Sequence, residues 1–96
     1  MQFSWDEIKN RENQRKHGIS FDEAAALFRS DDYLEIFDAD HAEDEDRFIA
    51  IGFISRGLIL VVWTPIDDAT GRIISARPAK RREERLFAAY MGTSHD

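Results

Sequence analysis

The chain has no cysteine among its 96 residues, which excludes disulfides, thiolate metal centres and cysteine nucleophiles together. It has two prolines and five glycines, too few for a linker-rich, collagenous or low-complexity protein. The longest apolar run, Leu58 to Trp63, is six residues, where a membrane-spanning helix needs about twenty. The opening stretch MQFSWDEIKN lacks the basic start and apolar core of a secretory signal. There is no glycine-rich loop to cradle a phosphate, no Ser–His–Asp order and no internal repeat. These absences predict a soluble, cytoplasmic protein with no membrane partner. What is present, 43% hydrophobic and 33% charged residues, is enough for one modest core. The expectation is a single domain over residues 1–91, followed by a frayed tail over 92–96.

The formal charge of −6 argues against a protein that coats nucleic acid with its whole surface. Its distribution is uneven. Nine acids and no base lie between Asp31 and Asp46, whereas Arg72, Arg77, Lys80, Arg81, Arg82 and Arg85 crowd one later segment and Lys9, Arg11, Arg15 and Lys16 an earlier one. Two basic segments flanking an acidic one predict either a molecule that holds a phosphate-rich ligand on one side or merely the solvated faces of surface helices.

Asp6 reads as the N-cap of a helix over Glu7 to Lys16, and Gly18 as the residue that ends it. Ser20-Phe21-Asp22-Glu23 reads as a capping box opening a second helix, Phe21 to Phe28. Gln2 to Trp5 is either an edge strand or an apolar anchor. Tyr33 to Phe37, Arg47 to Ile54, Leu58 to Thr64 and Arg72 to Arg77 are predicted strands, with Ser55-Arg56-Gly57 and Asp67 to Gly71 as turns and Pro78 as a terminator. Lys80 to Met91 is a closing helix whose apolar side carries Leu86, Phe87, Tyr90 and Met91. The predicted class is α+β: two N-terminal helices, a four-stranded antiparallel sheet and a C-terminal helix.

Several residues are candidates for chemistry. Asp38 to Asp46 is rich in hard oxygen ligands but lacks the glycine and spacing of a calcium loop, so no metal site is assigned and the stretch is read as a solvated loop. Lys16 and His17 end the first helix. They either bind its loose carbonyls or place a phosphate-neutralising cation beside a group able to move protons near neutrality. With a period of two, Ile73, Ser75 and Arg77 share one strand face, and Arg72, Ile74 and Ala76 the other. Arg77 and Arg47 either pair with acids or act as bidentate phosphate clamps. Trp63 and Tyr33 either stack on bases or fill the core.

The residues Phe3-x-Trp5-Asp6, Lys9, Asn13 and Lys16-His17-Gly18-Ile19-Ser20-Phe21-x-Glu23-Ala24, then Arg47 to Gly52, then Arg72 to Arg77 with Arg81-Arg82-Glu83, resemble BrnT-type toxins in order and over nearly the whole chain. Pro78 departs from the pattern, which usually has a base there. The resemblance implies a RelE-like fold and a metal-independent ribonuclease that inhibits translation as the toxin of a type II toxin–antitoxin pair. It further implies an RNA substrate, no cofactor and a BrnA-type ribbon-helix-helix antitoxin that forms a heterotetramer with the toxin and carries the operator-DNA contact. On that basis His17, Lys16, Arg77 and Arg47 are the candidate catalytic residues, and Arg72, Lys80 and Arg81 the candidate RNA-binding ones. The alternatives are a RelE-like binding module that acts only within an antitoxin–DNA repressor complex, and an unrelated α+β domain for an acidic metabolite.

Overall fold

The structure, a computed structural model, describes residues 1–41 and 44–93. Strand β1 (Gln2–Ser4) leads to helix α1 (Glu7–His17), helix α2 (Phe21–Ala25) and a 3₁₀ turn (Ala26–Arg29). Strands β2 (Tyr33–Phe37), β3 (Phe48–Ile54), β4 (Gly57–Pro65) and β5 (Thr70–Pro78) follow, and helix α3 (Arg81–Thr93) closes the chain. Helix α3 runs two residues into the segment expected to fray; residues 94–96 lie outside the described ones.

The sheet has five strands in the order β1-β5-β4-β3-β2 and is mixed, not four-stranded and antiparallel as the sequence predicts. The added strand is Gln2–Ser4, lying parallel to β5 with Phe3 opposite Gly71. Gly71 makes room for it, since a Cβ there would come within 2.8 Å of both the Phe3 and Trp63 rings. Phe3 stacks on Phe28 at 4.3 Å and meets Trp63 edge-on at 5.7 Å, so three aromatic rings hold the short strand in place. Trp63 is only 6% exposed and belongs to the core, and Tyr33 is half-buried against Phe28.

The predicted caps are present. Asp6 accepts from the N–H of Ile8 at 2.8 Å, Gly18 ends α1 in the left-handed region at φ 72°, and Ser20 and Glu23 form the reciprocal box. The second helix is shorter than predicted, because the chain tightens into the 3₁₀ turn at Ala26. One sheet face packs Ala50, Val61, Ile73 and Ala76 against Phe21, Ala24 and Leu27. The other packs Ile51 and Leu60 against Phe87 of α3.

Strand β5 departs from simple alternation. Val62 pairs with Ser75 but Trp63 with Ile73, so Ile74 is an extra, unpaired residue. Such a bulge slips the side-chain period by one. Ile73 and Ala76 therefore both face the α2 core, and Ile73 does not share the face of Ser75 and Arg77. Pro78 belongs to the strand as its last residue. The N–H of Ala79 donates to the Leu58 carbonyl at 3.0 Å, so the proline nitrogen faces the outer edge, where no ladder bond is needed.

Candidate active site

Beyond Ser4 the outer edge of β5 has no strand beside it; helix α1 takes that place. Its docking is unusual because α1 has no apolar face. Ile8 is 67% exposed, and the buried residues of the helix are Asn10 and Asn13. The Asn10 side-chain oxygen accepts from the N–H of Phe21 at 2.8 Å. Asn13 donates to the carbonyls of Ala76 at 2.7 Å and Ile19 at 2.9 Å, and accepts from the Ala76 N–H at 3.2 Å.

Between α1 and the bulge lies a hollow of about 240 Å³, lined by Lys9, Glu12, Asn13, Lys16 and His17 from the helix and by Ile74 and Ser75 from the strand. A second hollow of about 230 Å³ is lined by Asp6, Lys9, Glu45, Arg47, Arg72 and the Ile73–Ile74 pair. Lys9 and Ile74 line both, so the two hollows adjoin along the bulged strand, and together they are called the groove. Along it stand cations from the first, middle and last thirds of the sequence. Three carboxylates, Asp6, Glu12 and Glu45, line it beside these cations.

Arg47 is the most constrained of them. Its Nε is buried with no hydrogen-bond partner among the described residues, an arrangement that costs energy unless a further group satisfies it. Arg47 also borders a hollow of about 470 Å³ with Asp40, His41, Asp44 and Glu45. The acidic stretch is thus not remote from the cations, as its separation in sequence suggests. Glu45 reaches Arg72 at 3.2 Å, and both side chains remain substantially exposed, so that pair opens at little cost. In the same stretch Asp38 holds the His41 ring nitrogen at 3.0 Å. Residues 42 and 43 of the predicted loop lie outside the described ones.

Arg77 does not join the groove. It sits opposite Leu60 on the α3 side of the sheet, and its two terminal nitrogens lie on the Glu83 carboxylate at 2.8 and 2.7 Å. The hydrogen bond from Arg77 holds the Glu83 carboxyl below the usual carboxylate range, and the same bond raises the arginine further. Lys80 and Arg81 are exposed at the start of α3 and line neither hollow. Of the seven residues singled out in sequence, the fold brings His17, Lys16, Arg47 and Arg72 together and leaves Arg77, Lys80 and Arg81 elsewhere.

Three groove residues carry no assignment from the sequence. Lys9 and Lys16, seven apart on α1, share a helix face, and that spacing is visible without a structure. Glu12 adds a carboxylate to the hollow that His17 lines. Ser75 lines the hollow next to the bulge, which no local residue signals.

The family described as the ribonuclease toxin BrnT of type II toxin–antitoxin systems matches residues 5–83. The crystal structure of the Brucella abortus ribonuclease toxin BrnT is similar, with 29% identity and a TM-score of 0.64 over 84% of this chain and 99% of that one. No curated protein matches the chain.

Proposed function

The chain belongs to the BrnT family of ribonuclease toxins of type II toxin–antitoxin systems, and from that premise we propose that it cleaves RNA without a metal in the groove between α1 and the bulge of β5. The observation that carries this reading is the gathering of Lys9, Lys16, His17, Arg47 and Arg72 around two adjoining hollows that share Lys9 and Ile74.

RNA supplies its own nucleophile, the 2′-hydroxyl beside the scissile phosphate. The protein must remove that proton, stabilise the charge that grows on the phosphorane-like transition state and protonate the departing 5′-oxygen. His17 takes one proton-transfer role, and Glu12, in the same hollow, is the group available for the other. Lys16 and Lys9 neutralise the phosphate. Arg47, whose Nε has no partner among the described residues, binds a non-bridging oxygen, and Arg72 exchanges Glu45 for the adjoining phosphate. Arg77 acts instead as a structural pin between β5 and α3, and Lys80 and Arg81 contact no phosphate in the groove.

Cleavage of this kind inhibits translation in the cytoplasm. Membership of a type II system implies an antitoxin. We assign that partner the BrnA type, a ribbon-helix-helix protein that forms a heterotetramer with the toxin and binds the operator DNA itself. One observation favours the second reading, a binding module inside that repressor: Arg72 and Arg77 are both engaged by carboxylates.

The test is RNA cleavage by antitoxin-free protein in EDTA. The proposal requires cleavage that persists with chelator and falls about a hundred- to ten-thousandfold in His17→Ala. Intact RNA, or equal cleavage by the variant, favours the binding module. Growth arrest on expression, relieved by the antitoxin, separates the two in cells.

A further inference from the structure

Asn13 presents an oxygen and a nitrogen to the N–H and carbonyl of one residue, Ala76. That is the hydrogen-bonding pattern a neighbouring strand offers. It falls where β1 has ended, four residues past Arg72, the last β5 residue that β1 pairs. The remaining amide hydrogen goes to the Ile19 carbonyl at 2.9 Å, so both donors are used and the residue is 7% exposed. His17 follows Asn13 by four residues and Lys16 by three, which places both on the next turn of the same helix face. Gly18 ends α1 immediately after them. Ile8 is exposed, and Asn10 ties α1 to α2, so among the described residues the side-chain hydrogen bonds that join this helix directly to β5 are those of Asn13.

We infer that Asn13 is a positioning residue: it replaces the absent strand at the outer edge of β5 and thereby fixes His17 and Lys16 over the bulge. This rests on the reading of the groove as the cleavage site, but its structural half is measured separately. Asn13→Asp keeps the shape and the acceptor for Ala76 N–H, and turns a carboxylate oxygen toward two carbonyls. The helix must then lift or rotate. Asn10→Ala is the control, since it removes a buried amide of the same helix that binds α2 rather than β5.

The experiment combines single-turnover cleavage of a short RNA, affinity for its all-2′-deoxy analogue, and NMR of the Ala76 amide and the His17 imidazole. For Asn13→Asp the expected result is a loss of about ten- to a hundredfold in cleavage rate, with a smaller loss of affinity for the analogue because Lys16 moves with the helix. The Ala76 amide exchanges faster and the His17 ring signals move. Asn10→Ala, compared at equal melting temperature, retains both the rate and the His17 signals. Equal rate loss in the two variants, or unmoved His17 signals in Asn13→Asp, overturns the inference. If Asn13→Asp does not fold, Asn13→Gln serves. It carries the amide one methylene further out and is expected to keep Ala76 protected while moving the His17 signals and lowering the rate. Unchanged signals and rate there count against the inference too. A wild-type protein that fails to cleave RNA refutes the groove reading instead, and the two NMR observations still decide the role of Asn13.

Discussion

The guanidinium of Arg77 lies fork-on-fork against the carboxylate of Glu83, with both bonds under 3 Å. Glu83 also accepts from the backbone N–H of Lys80 at 2.8 Å, so a single carboxylate joins the end of β5 to the first turn of α3. Glu83→Gln is expected to cost about 1 kcal/mol in urea denaturation at neutral pH, discounted because Arg77 keeps partial access to water. If Arg77 is a pin, releasing it leaves RNA affinity unchanged. A rise in affinity would make it a phosphate clamp held in reserve.

Two carboxylates titrate in opposite directions. Glu83 is held below the ordinary glutamate value of 4.5, so its contribution is present above that pH and is lost as the pH falls through the lowered folded value. Glu35, bonded by the Trp63 indole N–H at 3.2 Å, is pushed above 4.5 by desolvation. Its effect is most favourable to folding below 4.5 and weakens as the pH rises through the folded value. Glu35→Gln therefore stabilises the protein at pH 7, and Glu83→Gln destabilises it. Both differences shrink in melting curves taken below the ordinary glutamate value.

Gly71 tests the fifth strand. A methyl group there meets the Phe3 and Trp63 rings at 2.8 Å, and neither ring has room to retreat within the Phe3–Phe28–Trp63 cluster. Gly71→Ala is expected to cost about 1–3 kcal/mol and to free the amide of Gln2, which donates to Ala69 at 2.8 Å. Thermal unfolding and amide exchange check the two parts.

Much of the fold is legible in the sequence. Asp6, Gly18, Ser20 and Glu23 announce their caps because capping is local chemistry. The strands from Tyr33 to Arg77 show as runs of β-branched and aromatic residues. The strand at Gln2 is legible only as one of two readings, edge strand or apolar anchor, and its parallel pairing is not, since a three-residue edge takes its stability from Phe28, Trp63 and the gap at Gly71, all distant in sequence. The site was half legible for a similar reason. His17, Lys16, Arg47 and Arg72 stand out as polar residues at the ends of elements. The partner of Arg77, the slip at Ile74 and the docking of α1 through Asn13 are tertiary relationships with no local signature.

The salt dependence of RNA binding separates groove cations from bystanders. Lys9→Ala and Lys16→Ala should each reduce the slope of log affinity against log salt by about 0.7, the value for one phosphate of a single strand. Arg81→Ala should leave the slope unchanged, because Arg81 stands at the start of α3. Fluorescence anisotropy with an uncleavable oligonucleotide over a salt series reads all three.

The most direct test of the groove needs no turnover. Isotope-labelled protein is titrated with a 2′-deoxy oligonucleotide while its amide and side-chain signals are followed. The account predicts saturable shifts at Lys9, Lys16, His17, Ser75, Arg47 and Arg72, with the Arg77–Glu83 pair and the outer face of α3 unmoved. Shifts centred on Lys80 to Arg85, with α1 silent, would contradict it.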